Sequence, residues 1–230
     1  MSYHESDEEQ IELLKNMWKD YGQPILIAVV ISLAAVSGYK YWNNMKYEAA
    51  SSASALYQNL LETVEVSREG PTSQPLTDEQ RTTVSHIVGS LQDDHSNSRY
   101  ALFATLFQAQ QQVKENQLAE ARISLEWVLS QNPGVEMNTL TSIRLARVLL
   151  SESDANAQQA LDVLGKVKIS KAYEASVESA KGDAYLALGQ HGQARESYQK
   201  AVDAARVNGD NRPLLQLKLD NLAAIAPQKS

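Results

Sequence analysis

The chain has 230 residues, a net charge of −7 and no cysteine. Without cysteine it has no disulfide framework, iron–sulfur cluster, thiolate zinc site or cysteine nucleophile. The acidic balance and the absence of any Lys- and Arg-rich run argue against a nucleic-acid partner. Only 10 Gly and 6 Pro are present, whereas helix formers such as Ala, Leu, Gln and Glu are abundant. The composition therefore predicts an all-α fold.

Residues 1–22 form an acidic tail with apolar residues at helical spacing. These apolar positions are Ile11, Leu14, Trp18 and Tyr21, and Glu9, Glu12 and Asp20 lie on the opposite face. The pattern indicates an amphipathic helix. It either lies on a membrane or docks on a partner, or it is a helical extension of the segment that follows.

Residues 23–42 are predicted to form a transmembrane helix. Nineteen residues, 21–39, carry no charge, and a helix of that length spans about 28 Å, close to the ~30 Å hydrocarbon core. Pro24 suits the first turn of such a helix, where its missing N–H costs nothing. Aromatic residues that favour a membrane interface flank the run on both sides: Trp18, Tyr21, Tyr39, Tyr41 and Trp42.

Two other interpretations of this segment are a buried core helix and a cleaved signal peptide. Ala35-Val36-Ser37 resembles a cleavage site, but a signal peptide has a basic start. Residues 1–23 instead carry two Lys against six acids, so we expect an uncleaved anchor. Two lysines lie on each side of the span. Because the number of positive charges is equal on the two sides, charge does not predict which side of the membrane the N-terminus faces.

Residues 43–98 are predicted to be a helical connector. A helix over 43–66 has an apolar face of Leu56, Leu60, Leu61 and Val64. A loop with Gly and Pro follows over 70–75. Thr77 or Asp78 caps a second helix that runs to about Ser90, and residues 93–98 are a polar break.

Residues 99–209 show a self-similar pattern typical of tetratricopeptide repeats. Such repeats place small residues at positions 8, 20 and 27 and large ones at 11 and 24, so that paired helices pack closely. Three units fit this register. They are Ala109, Gln112, Ala121, Leu125, Val128 and Pro133; Ala146, Leu149, Ala160, Leu164 and Val167; and Gly182, Tyr185, Ala194, Tyr198 and Ala201. Gln112 is a poor match at position 11, and the turn at 151–158 must be two residues longer than usual.

Residues 210–230 are predicted to close the repeat array. After a linker over 203–211, a helix over 213–225 carries five leucines, more apolar surface than an exposed end can carry: Leu214, Leu215, Leu217, Leu219 and Leu222. The fold predicted for the whole chain is therefore one transmembrane helix, an α-solenoid of tetratricopeptide-like hairpins and a C-terminal capping helix.

Repeat arrays bind peptides or helices in a groove lined by the first helix of each repeat. The register predicts six residues on that surface: Gln110, Lys114, Arg147, Leu150, Asp183 and Leu186.

No pattern in the sequence predicts catalysis, a cofactor or a metal site. The four histidines are not at metal-ligand spacing, and neither a phosphate-binding loop nor a nucleophile elbow is present. We therefore expect a protein that is not an enzyme.

Several segments follow one another in a specific order along most of the chain. They are Gln10-x-Glu12-x-x-Lys15, Gly38-Tyr39-Lys40-Tyr41-Trp42-Asn43, Ala53-Ser54-Ala55-Leu56-Tyr57-Gln58-Asn59, Arg144-Leu145-Ala146-Arg147-Val148, Gly182-Asp183-Ala184 and Lys218-Leu219-Asp220-Asn221-Leu222. In this order they resemble the YfgM family, bacterial ancillary subunits of the SecYEG translocon. The string after the span is the most specific of them. The loop at 69–76 and the turn at 151–158 look longer than in that family, so no binding residue is carried over.

The resemblance implies a bacterial inner-membrane protein with a cytoplasmic N-terminus and periplasmic repeats. It implies association with the SecYEG translocon and with a membrane-anchored periplasmic chaperone of the PpiD type, and the transfer of exported client proteins to periplasmic folding factors. The function expected is thus a membrane-tethered adaptor. The alternative is a membrane-anchored regulator that sequesters a stress-response signalling protein through its tail or repeats.

Overall fold

A computed structural model describes residues 4–65 and 75–225, with the side chains of 4–10, 25, 65 and 223–225 left out. Over these residues the chain forms helices and no strand, which confirms the all-α prediction. The helices are α1 (His4–Glu65), α2 (Asp78–Asp94), α3 (Arg99–Lys114), α4 (Leu118–Ser130), α5 (Val135–Glu152), a 3-10 turn (Asp154–Asn156), α6 (Ala157–Gly165), α7 (Lys171–Ala187), α8 (His191–Val207) and α9 (Pro213–Ile225). The loop predicted over 70–75 lies outside the described residues except for Pro75.

The helices group into two compact units, Met1–Ser52 and Ala53–Ser230. The five-part domain division proposed from the sequence stays a prediction. In the first unit, Pro24 lies well inside α1 and not in a first turn. Its position is a correction to the sequence analysis. Good helix formers on the N-terminal side, such as Leu13, Leu14 and Lys15, extend the helix back to His4 despite the hydrogen bond that Pro24 removes.

The first unit exposes its apolar side chains. Every residue over 11–52 whose burial is described is exposed except Gly22, whose backbone lies against the ring of Trp18. By length and composition, Leu26–Val64 of α1 is the one described helix able to cross a membrane, and an 18-residue stretch within it reaches a mean hydropathy of 1.2. Exposed aliphatic residues along a long helix fit a lipid environment, and this supports a single-pass membrane protein.

The second unit begins with a hydrophobic cluster of α1, α2 and α3. Ala53, Leu60 and Val64 of α1 are buried with residues of α2 and α3. Leu60 and Val64 were both predicted on this face. Leu61 was assigned to it wrongly, since it is 44% exposed, while Ala53 was missed. Because 53, 60 and 64 repeat at seven and four residues, they form one narrow stripe that excludes residue 61.

Helix α2 begins at a capping box. The hydroxyl of Thr77 accepts a hydrogen bond from the backbone N–H of Gln80, whose side chain accepts one from the N–H of Thr77. The predicted cap is therefore confirmed. The helix runs to Asp94, four residues past the predicted end. Leu91, fully buried, and Gln92, whose amide donates to the Thr105 hydroxyl at 3.0 Å, hold this last turn against α3.

Three helical hairpins follow: α3 with α4, α5 with α6, and α7 with α8. Each helix packs on the next, and α5 also packs on α7. The predicted small residues at the hairpin crossings are buried, for example Ala109 with Ala121 and Ala146 with Ala160. Gln112, the poor match, accepts a hydrogen bond from the Ser124 hydroxyl at 2.8 Å. A polar pair thus replaces an apolar contact there.

The middle hairpin departs from the register in two ways. Its two extra residues divide between α5, which extends one residue further past its small residue than α3 does, and a connection at 153–156 that includes the 3-10 turn. Val167 was assigned to position 27 of the repeat, but α6 ends at Gly165, so Val167 lies outside the helix. Gly165 is a poor helix former, and Lys166 and Lys168 add no apolar face.

The C-terminal helix packs on α8 as predicted, but with only three of its five leucines. Leu215, Leu219 and Leu222 are buried, whereas Leu214 and Leu217 are 64% and 54% exposed. Only residues at helical spacing face α8 and α7, so the five-leucine prediction was too broad. The linker was also predicted too long. Helix α8 continues to Val207, because its last turn packs in a cluster with Leu215.

Candidate binding groove

Two adjoining clefts lie along the first helices of the repeats, and together we call them the groove. One, of about 480 Å³, lies between the end of α1, α3, α5 and the start of α7. The other, of about 320 Å³, lies mainly between α3 and α5. Leu106, Gln110 and Arg144 belong to the walls of both clefts. The described lining residues are Tyr57, Arg99, Leu102, Phe103, Leu106, Phe107, Ala109, Gln110, Val113, Lys114, Leu118, Leu125, Gly134, Glu136, Met137, Leu140, Arg144, Arg147, Val148, Ser151 and Tyr173.

Aromatic side chains line one end of the groove. The ring centroid of Tyr57 lies 5.5 Å from that of Tyr100 and 6.4 Å from that of Phe103. Phe103 and Phe107 are one turn apart on α3 and therefore share a face. Phe103 remains 41% exposed, although its ring is large and apolar. A partner that covered it would gain hydrophobic free energy of association.

Positive side chains line both clefts of the groove. Where the structure describes them, its walls hold four cations, Arg99, Lys114, Arg144 and Arg147, and a single carboxylate, Glu136. None of the ion pairs or hydrogen bonds made by the described residues involves these four side chains. By contrast, in a third cleft between α2 and α3, Arg81 pairs with both Asp78 and Glu115. The groove is therefore a cationic surface on a chain of net charge −7.

Three of the six residues predicted for the binding surface lie in the groove. Gln110, Lys114 and Arg147 line its second cleft. Leu150 is half-buried against the core of the middle hairpin. Asp183 and Leu186 of α7 lie outside the groove lining, although Leu186 is 39% exposed. That any of the six touches a partner stays a prediction.

The carboxylate of Asp183 is bound by other side chains of the same chain. Its carboxylate accepts a hydrogen bond from the Tyr198 hydroxyl at 2.6 Å and another from Lys218 of α9 at 2.5 Å. Burial, and then the neighbouring carboxylate, raise the pKa of Tyr198 well above its ordinary value, so the hydroxyl remains a donor. Helix α9 thus covers the position in the last repeat that corresponds to Gln110 and Arg147.

The sequence analysis missed the aromatic end of the groove. Phe103 and Leu140 lie seven residues, or about two helical turns, before Gln110 and Arg147, and hence on the same helix faces. Extending each predicted face back by two turns would have found both. Tyr57 gave no such signal, because α1 lies outside the repeat register and reaches the groove only through the packing of the connector.

The structure adds no candidate for bound metal. Within the parts of the chain that it describes, no group of three or more His, Asp or Glu side chains could hold an ion.

Comparison with known proteins identifies a family and several relatives. A family model for the tetratricopeptide repeat-like domain matches residues 15–224. A protein of Escherichia coli strain K12, named ancillary SecYEG translocon subunit, is 28% identical over 97% of this chain and 100% of its own length. Proteins of the same name from Haemophilus influenzae and Neisseria gonorrhoeae are each 25% identical over 96% of this chain and all of their own length. No solved structure matches. These matches confirm the resemblance drawn from the sequence.

Proposed function

This chain belongs to the tetratricopeptide repeat-like domain family, and on that premise we propose that it is a membrane-tethered adaptor that binds segments of other proteins in its groove. The observation that carries the proposal is the groove itself. It combines an exposed aromatic end with cations on adjacent helices that have no ion-pair partner in the described parts of the chain. Helical repeats use such surfaces for peptides and helices. The function is therefore binding and not catalysis.

The place of action is the SecYEG translocon. The relatives that carry this name align over their whole length with almost all of this chain, which includes the apolar part of α1. In the proposed arrangement α1 crosses the inner membrane in contact with lipid. Its N-terminus is cytoplasmic and the repeats are periplasmic. The adaptor receives exported client proteins and passes them to a membrane-anchored periplasmic chaperone of the PpiD type.

A photo-crosslinking amino acid at Phe103 tests the groove in intact membranes. We expect crosslinks to exporting chains or to a periplasmic chaperone, because Phe103 is exposed at the aromatic end. The matched control is the same amino acid at Arg195, an exposed residue of α8 outside the groove lining. Equal crosslinking from both positions, in protein that still co-purifies with SecYEG, would contradict binding of partners in the groove. If the unmodified protein does not co-purify with SecYEG, the proposed place of action at the translocon is wrong.

Protease treatment of intact spheroplasts tests the orientation. Periplasmic repeats are digested from outside, whereas cytoplasmic repeats are digested only after lysis. The second result would contradict transfer of exported proteins and favour the regulator alternative.

Deleting residues 1–20 separates the adaptor from a regulator that works through its tail. An adaptor that binds through the groove keeps its partners after the deletion. A tail-dependent regulator loses its signalling protein.

A further inference from the structure

We propose that the groove selects polypeptide segments in which acidic residues are interspersed with apolar ones. This inference rests on the proposed function and specifies the client segment. It also explains how a chain of net charge −7 presents an attractive surface to acidic partners.

The charge of the groove is not compensated by the part of the second unit that the structure describes. Arg99, Lys114, Arg144 and Arg147 make no ion pair among the residues described, while seven other cations do so. Among the described residues, Glu136 is the one acid in the lining. A basic segment would meet like charge there, and like charge opposes binding. An acidic segment supplies the missing partners.

The cations lie where a bound segment would pass. Arg144 belongs to the walls of both clefts, and Arg147 follows it by one helical turn. Lys114 faces the second cleft from α3, and Arg99 stands beside the aromatic end in the first. Positive groups therefore occur along the groove and on both of its walls. Arginine favours carboxylates in particular, because its planar guanidinium presents paired donors.

Exposed apolar side chains in the groove indicate that its ligand is a polypeptide. Phe103 is 41% and Val113 43% exposed, and both line the groove. Covering them requires apolar side chains, while the cations require carboxylates between those side chains. A segment with alternating acidic and apolar residues meets both conditions. Inorganic anions meet only the second condition.

The test uses the full chain in nanodiscs of zwitterionic lipid and two labelled peptides with identical apolar residues. One peptide carries Asp and Glu between them, and its twin carries Lys at the same positions. We expect the acidic peptide to bind roughly tenfold more tightly at low salt, with the difference shrinking as salt rises. Binding within twofold for the two peptides, or tighter binding of the lysine twin, would overturn the inference.

Variants assign the preference to the groove. Arg144→Gln with Arg147→Gln should reduce the preference to about twofold, because two of four cations are lost. Arg195→Gln, an exposed arginine on α8 outside the groove, is the matched control and should keep the preference. Circular dichroism verifies that each variant is folded. An unchanged preference in the folded double variant would contradict the assignment.

Two further outcomes separate this inference from the proposed function. If both peptides bind equally and Phe103→Ser weakens both, the charge preference is wrong and the groove still binds segments. If neither peptide binds, both proposals fail. If short-chain phosphatidylglycerol displaces the acidic peptide and loses affinity in the double variant, the cations serve anionic lipid and the polypeptide inference is overturned.

Discussion

The backbone of Gly182 in α7 lies directly against the aromatic ring of Tyr198 in α8. A Cβ atom at position 182 would lie 2.6 Å from both Cδ1 and Cε1 of that ring. Tyr198 cannot retreat, because it is 1% exposed and its hydroxyl is bonded to Asp183. The small residue at position 8 of the repeat thus sets the distance between the two helices of the last hairpin.

Gly182→Ala is expected to destabilise the second unit by about 1–3 kcal/mol, because an overpacked core must shift rigid side chains. The free energy of unfolding is measured from denaturant titrations followed by circular dichroism. Gly89→Ala in α2 is the control. A Cβ there meets nothing within 4 Å, so the loss of backbone entropy in the unfolded chain should stabilise by about 0.5–1 kcal/mol. Equal effects from the two substitutions would contradict the close packing at Gly182.

Lys218→Met should loosen α9 from the last hairpin. The substitution removes the charged donor to Asp183 and leaves the apolar stem, and the loss at a partly exposed site is about 1 kcal/mol. Amide hydrogen exchange in α9 should become faster, while exchange in α3 stays unchanged. Lys200→Met is the control. It removes an exposed ion pair with Glu196 within α8 and should leave hydrogen exchange in α9 unchanged. Unchanged exchange in the Lys218 variant would show that Leu215, Leu219 and Leu222 hold the helix alone.

The sequence predicted the repeat hairpins because their packing rule is local. Small residues at fixed spacing, such as Ala109 and Ala121, determine where two helices cross, and this spacing is visible without a structure. Helix ends were harder to predict. The ends of α2 and α8 depend on contacts with α3 and α9, as at Gln92 and Leu215, and these contacts join residues distant in the sequence.

The groove was predictable only in part, for a related reason. Gln110 and Arg147 follow from the register, since the same helix face recurs in each repeat. The contribution of Tyr57 depends on how the connector packs against α3, and the capture of Asp183 by Lys218 depends on where α9 docks. Neither arrangement has a repeating signal, so neither could be predicted from the sequence.

Thr77→Ala is expected to cost about 1 kcal/mol, because the substitution removes the side-chain acceptor for an N-terminal amide of α2. Thr77→Ser keeps the hydroxyl and should remain close to wild type in thermal or denaturant unfolding. Thr82→Ala, which removes an exposed hydroxyl bonded to the Asp78 carbonyl within the same helix, is the control and should have little effect. A loss as large in Thr77→Ser as in Thr77→Ala would point to the methyl group and not to the cap.

Stability should fall at alkaline pH through Tyr198. The raised pKa means that the folded protein keeps the phenol proton above pH 10, whereas the unfolded chain releases it near the ordinary value of 10. The unfolded state then binds fewer protons, so the free energy of unfolding decreases as pH rises, by up to about 1.4 kcal/mol per pH unit for one group. Lysines titrate in the same range, and the diagnostic quantity is therefore the difference in slope between wild type and Tyr198→Phe, measured by denaturant titrations at several alkaline pH values. Tyr47→Phe, at a residue that is 75% exposed, should keep the wild-type slope. Identical slopes for wild type and Tyr198→Phe would mean that the buried phenol ionises as easily in the folded protein as in the unfolded chain, against the hydrogen bond to Asp183.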